Sequence, residues 1–259
     1  IFTMVIFPNC KINIGLHIVG KRADGFHHIE TIFYPVPLHD ILEILPAENE
    51  DHFTQTGLLI DGPAANNLCL KAVELVRGAF PELPPLNIHL HKVIPMGAGL
   101  GGGSSDGAHT LLLLNKKFNL NMSTQMLIDM ALQLGSDCPF FIINKPCFAY
   151  SRGKMMEPID LPLAGFQLVL INPCVHINTG WAFSQLQPKA ALFSLKEINT
   201  LAPNEWRNHI INHFQQPIAA HHNIISTIVN YSYEHGAAFA AMTGSGSTCY
   251  ALFEAEKAM

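Results

Sequence analysis

Pro95-Met96-Gly97-Ala98-Gly99-Leu100-Gly101-Gly102-Gly103-Ser104-Ser105-Asp106 packs five glycines and two hydroxyls into twelve residues. The run before it, Leu86-Asn87-Ile88-His89-Leu90-His91, alternates apolar and polar positions and predicts a half-buried strand. The run after it, residues 108–114, is apolar and predicts a helix. A strand, a glycine loop and a helix start in that order make an anion site. Glycine lets the backbone approach a ligand closely, and the first helical N–H groups lack partners and point at it. A flexible linker would not join two strongly apolar elements. The segment therefore reads as a phosphate-binding loop.

Two familiar phosphate loops fit poorly. A P-loop requires Lys and then Ser or Thr after its last glycine, whereas here Gly103 follows Gly102. Gly97, Gly99 and Gly102 match a dinucleotide fingerprint by letter. That fingerprint also needs an acid about 20 residues on, and none stands between Asp106 and Asp129. An oxidoreductase reading falls behind.

With 259 residues and 49% hydrophobic content, the chain can bury one large core or two modest ones. Its formal charge of −5 leaves no basic footprint for nucleic acid. A polyanionic ligand must then be held by local donors. No apolar run approaches the ~20 residues of a membrane span, so no membrane partner is expected. Six cysteines lie scattered without a C-x-x-C pair, which suggests reduced, mostly buried thiols in a cytoplasmic protein. Fourteen histidines invite a metal reading. However, His209 and His213 enclose no Glu, and the adjacent pairs His27-His28 and His221-His222 diverge, so no metal site is expected. The sequence leaves monomer and homodimer equally open.

Residues 4–18 and 30–45 read as strands around a turn-rich loop, Gly20-Lys21-Arg22-Ala23-Asp24-Gly25-Phe26-His27-His28. Helices are predicted near 67–80, over 123–134 with Gly135 as the stop, and over 223–234. Strand patterns recur at 147–150 and 166–171. Residues 189–214 read as helical or irregular, and 237–242 with 248–253 as a hairpin. Strands and helices mix without strict alternation, which favours α+β over doubly wound α/β. A soft boundary near 154–162 suggests domains of 1–155 and 156–259.

Two charged residues stand in apolar surroundings. Asp137, in Gly135-Ser136-Asp137-Cys138-Pro139-Phe140-Phe141, is either a turn residue or a base or metal ligand, because such surroundings perturb a carboxylate's proton affinity. Lys11 interrupts an apolar strand, Cys10-Lys11-Ile12-Asn13-Ile14-Gly15-Leu16. Alone it reads as protection of a strand edge. Beside a phosphate loop, a lysine and a carboxylate suggest phosphoryl transfer, which needs charge neutralisation and a positioned hydroxyl.

The glycine loop, Lys11-Ile12-Asn13 and Thr243-Gly244-Ser245-Gly246-Ser247 resemble the three motifs of the GHMP kinase superfamily, in order and at suitable spacing. Arg22-Ala23-Asp24-Gly25-Phe26-His27 resembles the R-x-D-G-[YF]-H element of the members that phosphorylate 4-diphosphocytidyl-2-C-methyl-D-erythritol. The resemblance covers nearly the whole chain. It implies a two-domain α+β GHMP kinase fold, with an N-terminal domain like domain 2 of ribosomal protein S5 and a ferredoxin-like C-terminal domain. It also implies a left-handed β-α-β crossover in the N-terminal domain and ATP at the domain junction. The implied reaction is ATP-dependent phosphorylation of the substrate's 2-hydroxyl, on the route to isoprenoid precursors, with Mg²⁺ carried mainly by the ATP phosphates.

The resemblance also implies roles residue by residue. Asp137 takes the hydroxyl proton and contacts substrate, and Lys11 orients that hydroxyl. Pro95, Met96, Gly97, Ala98, Gly99, Leu100, Gly101, Gly102, Gly103, Ser104 and Ser105 wrap the phosphates, and Asn67 and Lys92 touch the nucleotide. Asn13, Thr179, Gly244 and Ser245 contact the substrate, and His27 reads the cytosine edge. Phe26 and Phe183 sandwich the cytosine ring, for which offset stacking supplies the physical reason. Many relatives carry tyrosine where Phe26 stands; stacking survives the change. Other GHMP small-molecule kinases and a non-catalytic ligand-binding relative are the alternatives, and retention of Lys11 and Asp137 argues against the latter.

Overall fold

The computed structural model describes residues 5–21, 23, 25, 27–60, 62–151, 153, 155–188 and 191–255. Among these the chain runs through β1 (Val5–Ile6), β2 (Asn9–Lys21), β3 (His27–His39), β4 (Ile41–Pro46), β5 (His52–Gly57), α1 (Leu68–Ala79) and β6 (Leu86–Lys92). Then follow α2 (Gly102–Lys117), α3 (Thr124–Leu134), α4 (Cys138–Ile143), β7 (Cys147–Ser151), β8 (Met155–Pro158) and β9 (Phe166–Ile171). The order ends with α5 (Thr179–Ser184), α6 (Gln215–His221), α7 (Ile224–Glu234), β10 (Phe239–Met242) and β11 (Cys249–Glu254). The fold is α+β.

The chain divides into two compact units. The first comprises Ile1–Lys11, Pro35–Met96 and Gly101–Asn144, the second Ile12–Tyr34, Gly97–Leu100 and Lys145–Met259. The units are interleaved along the chain, whereas a cut at 155/156 would divide it once.

In the first unit a sheet of order β1-β4-β6-β5 is antiparallel except for the parallel β5–β6 pair, which α1 connects. Helix α1 buries Cys69, Ala72, Val73 and Val76, an i, i+3, i+4, i+7 stripe, and packs on α2. Helix α2 buries most of its length between α1, α3 and α4. In the second unit β3, β7 and β8 pair antiparallel. A separate sheet of order β10-β11-β9 carries α6 and α7 over a core of Ile218, Ile225, Val229, Ala240, Met242 and Ala251.

Several elements depart from the sequence expectations for physical reasons. The strand expected over 4–18 is two, because Pro8 has no N–H to donate and interrupts the ladder. The strand expected over 30–45 breaks at Asp40, which turns a fully buried carboxylate inward. The helix expected after the glycine loop begins inside it, at Gly102, where Ser105 N–H donates to the Gly101 carbonyl at 2.9 Å. Strand β5 and helix α4 had no clear sequence signal. The first is a mostly polar edge strand held by pairing with β6, and the second is a six-residue apolar run. Residues 189–214 contain two 3₁₀ turns, Leu195–Thr200 and Trp206–Asn208. The C-terminal hairpin forms as expected, closing with Met242 opposite Cys249.

Candidate active site

Strand β2 buries ten consecutive residues from Asn9, Lys11 among them. A buried ammonium needs a partner to offset its lost hydration. It has one in Asp137, whose Oδ2 lies 3.4 Å from Lys11 Nζ. Asp137 is delivered by a tight junction between helices. The Gly135 N–H closes α3 on the Ala131 carbonyl, and α4 opens three residues later at Cys138, with Pro139 in its first turn. Asp137 occupies the cap position of α4 but makes no cap hydrogen bond there. Its side chain is 35% exposed against 4% for Lys11, so a hydroxyl can approach the carboxylate while the ammonium stays behind it. Gly101 closes the same corner at φ +70°. A Cβ there would press within about 3.1 Å of Lys11 Cε and Phe141 Cζ.

Gly101 is also the cap of α2 and offers no side chain to it. The N–H groups of Gly102, Gly103 and Ser104 therefore begin the helix without a side-chain cap, which is the donor set that suits phosphate oxygens. Gly103 faces a cleft of about 350 Å³ that also involves Phe53, Gln55, Asn67, Met96 and Asp106. Asn67 caps α1, accepting the Cys69 N–H at 2.8 Å. Ser105 is buried, its Oγ 3.2 Å from His109 Nδ1. Pro95 is half-buried and Met96 exposed. Lys92 is buried, with its ammonium on Asp40 and on Asp106 Oδ2, the latter at 2.8 Å.

The second unit holds residues 97–100 of the loop. A Cβ on Gly99 would strike the Thr243 carbonyl, and Gly97 lies against His176. Thr243 Oγ1 accepts the Asn13 N–H at 2.8 Å and donates to the Gly99 carbonyl at 3.3 Å. The Thr248 N–H donates to the Ala98 carbonyl at 3.2 Å, and Ala98 and Leu100 are buried. Asn13 is itself buried and donates its side-chain amide to Thr31 Oγ1 at 2.9 Å. Gly244 packs beside Gly99 and Asn13. Thr179 Oγ1 and Ser245 Oγ lie 3.3 Å apart. His27 stacks on Phe183 with ring centroids 4.9 Å apart at 19°, and Phe183 meets Phe214 edge-on. Burial, then nearby Lys21, lowers the His27 pKa below the usual imidazole value. Phe26 lies outside the described residues.

The structure thus joins Lys11, Asp137 and Gly101 in one unit, and Asn13, Gly99 and Gly244 in the other. Sequence reasoning passed over Asp40, Thr31 and His176. Asp40 had a signal: it is a single carboxylate in Leu38-His39-Asp40-Ile41-Leu42, between two strand runs and with no local partner.

Residues 67–145 match the family model of the GHMP kinases N-terminal domain, and residues 188–259 that of the GHMP kinases C-terminal domain. The chain belongs to the GHMP kinases. Its similarity to the 4-diphosphocytidyl-2-C-methyl-D-erythritol kinase of Parabacteroides distasonis is 47% identity over 251 residues, covering 97% of this chain and 92% of that protein. The kinase of the same name from Bacteroides fragilis strain YCH46 is 48% identical, with coverages of 98% and 93%. A crystal structure of a 4-(cytidine 5'-diphospho)-2C-methyl-D-erythritol kinase superposes with a TM-score of 0.81 at 27% identity, over 96% of this chain and 90% of that one. A homoserine kinase from Cytophaga hutchinsonii shares the GHMP fold, with a TM-score of 0.69 at 16% identity over 99% of this chain and 89% of that one. The chain is an ATP-dependent small-molecule kinase of this family.

Proposed function

We propose that the chain transfers the γ-phosphoryl group of ATP to the 2-hydroxyl of 4-diphosphocytidyl-2-C-methyl-D-erythritol. The observation that carries the chemistry is the Lys11–Asp137 pair at 3.4 Å, a half-buried, reachable carboxylate backed by a buried ammonium. The relatives at 47–48% identity support the choice of substrate. Asp137 accepts the hydroxyl proton as the substrate oxygen bonds to the γ-phosphorus. The bond from that phosphorus to the β-γ bridging oxygen breaks, and ADP leaves. Lys11 orients the carboxylate and meets the charge that develops beside it. The uncapped start of α2 takes phosphate oxygens, and the cleft beside Asn67 takes the base of ATP. Mg²⁺ bound with ATP neutralises charge on the transferring group. Amide N–H donors suit phosphate oxygens rather than a cation, so these amides would hold the phosphates and the ion would come bound to ATP. Among the described residues no helix is long and apolar enough to cross a membrane, and we assign the reaction to the cytoplasm.

A coupled ADP-release assay decides between substrates. The cytidyl substrate is expected to support turnover, whereas mevalonate and homoserine should give only background ATP hydrolysis. Turnover with either of the latter, and none with the cytidyl compound, would make the chain a GHMP kinase of another alcohol.

A further inference from the structure

Alternation along β6 turns Lys92 to the same buried side as Leu86, Ile88 and Leu90. An ammonium placed there must be paired. Two carboxylates meet it, Asp40 from the turn between β3 and β4 and Asp106 from the beginning of α2, and the side chains of all three are at most 3% exposed. Asp40 does more than neutralise charge. Its Oδ1 accepts the N–H groups of Val93 and Ile94, at 2.6 and 2.8 Å, while its Oδ2 meets Lys92. The chain entering the glycine loop and the helix leaving it are therefore tied at one ammonium. Only residues 95–101 hang between the two ties. The amides of Gly102, Gly103 and Ser104 stand just ahead of Asp106 in the same helix.

Resting on the reading of α2's start as the ATP-phosphate site, we infer that Asp40 is a positioning residue for ATP. Through Lys92 and Asp106 it holds the two ends of the glycine loop at the separation that aims the helix amides at the phosphates. It touches no reacting atom.

The same cluster sets charge behind the phosphates. Two carboxylates and one ammonium carry a net negative charge unless one proton is retained. Burial pushes the Asp106 carboxyl up to about 7; Lys92 opposes that rise and Asp40 adds to it. The groups facing Asp106 are Lys92 from β6, Asp40 from the β3–β4 turn and Cys69 from α1, whose thiol burial keeps protonated. Among the described residues no donor reaches buried Asp106 Oδ1, which penalises the ionised form of the carboxyl. Below pH ~7 the cluster is neutral. Above it, one buried negative charge stands behind the amides that must attract ATP.

The test uses the whole chain, with calorimetric titration of Mg²⁺-ATP and the Michaelis constants of both substrates in the ADP-release assay. Asp40→Asn keeps an oxygen for the Val93 and Ile94 N–H groups but turns an NH₂ toward the Lys92 ammonium. Its Kd for ATP should rise on the order of tenfold, about 1.4 kcal/mol, while the KM of the alcohol substrate stays within roughly twofold. A merely structural role would weaken both substrates alike. Asp106→Asn stays neutral at every pH. Relative to it, the wild-type Kd for ATP should worsen several-fold from pH 6 to pH 8, and the titration of ATP itself, common to both proteins, divides out. Unchanged ATP affinity in folded Asp40→Asn, or equal weakening of both substrates, would overturn the positioning role, and identical pH slopes in Asp106→Asn and wild type would overturn the charge set behind the phosphates. If Asp40→Asn does not fold, the same split between the ATP Kd and the alcohol KM is read in Asp106→Asn, which cuts the other tie to Lys92. Wild-type chain that fails to bind Mg²⁺-ATP would instead overturn the reading of the loop as the ATP site.

Discussion

Asp137 and Lys11 make a pair of unequal exposure, and the inequality suits the roles proposed for them. A carboxylate reachable from outside can receive a proton from a bound alcohol, and an ammonium shielded behind it cannot leave for solvent. Replacing Asp137 with Asn keeps shape and removes the base, so turnover should fall by roughly 10²–10⁴-fold, the usual worth of general base catalysis. ATP affinity should hardly change. Near-wild-type turnover in a stopped assay of that variant would displace Asp137 from the reaction. At this scale the sequence marks charges and leaves their partners unmarked. Lys11 stands out as a charge in an apolar strand, and Asp137 as a carboxylate among apolar residues, yet nothing local joins residue 11 to residue 137. Lys92 shows the converse. Its strand position alone predicts burial, because residue 92 continues the even-numbered apolar face of β6, but its carboxylates come from Asp40 and Asp106, on other elements. His27 was expected to read a ring edge; its face-to-face contact with Phe183 depends on tertiary placement that no local pattern encodes.

At the scale of elements, strand, loop and helix were legible because each has its own local physics. Strand β6 has period two, the loop has glycine, and α2 has an apolar run. The register at which α2 begins was not legible, since Gly102 and Gly103 are poor helix formers and only the packing around them recruits them. That packing separates two glycine substitutions. Gly101→Ala meets a positive φ and places a methyl against the Lys11 stem, at 3.1–3.2 Å. Turnover should fall tenfold or more as Lys11 shifts from Asp137, with a stability loss on the order of 1 kcal/mol from the left-handed backbone. Gly103→Ala meets only the flexible end of Met96 at 3.2 Å, on the side of the cleft. It should leave the melting temperature within a few degrees of wild type and raise the Michaelis constant for ATP several-fold. Equal effects of both variants on both quantities would mean that the loop acts only as a hinge. Strand β5 and helix α4 mark the limit of element reading: one is polar and held by its neighbour, the other too short to show a period.

At the scale of the whole molecule, the interleaving of the units was beyond the sequence, because it depends on pairings such as Thr31 with Ala149 that bring distant segments into one sheet. Each unit nonetheless carries its own titrating group. In the first, Asp106 is raised to about 7 by burial, so its stabilising share is complete below the ordinary aspartate range and is lost as pH rises through 7. In the second, His17 is buried, its Nδ1 without a hydrogen-bond partner among the described residues, and its ring centroid lies 5.0 Å from that of His213. Burial, with a smaller push from His213, lowers its pKa to about 4. His17 is therefore neutral in the folded chain and charged in the unfolded one between pH 4 and 6.5. Its stabilising share is present above 6.5 and lost as pH falls toward 4. A full shift of this size corresponds to on the order of 3 kcal/mol, at about 1.4 kcal/mol per pH unit. Trp181 and Trp206 both belong to the second unit, so tryptophan fluorescence reports on it. Urea unfolding followed by that signal should show stability climbing from pH 4.5 to 6.5 in wild type, and climbing distinctly less in His17→Phe. Carboxylates common to both proteins cancel in the comparison. Superimposable pH slopes in the two proteins would show that His17 titrates alike folded and unfolded, and that its burial does not set the acid limit of this unit.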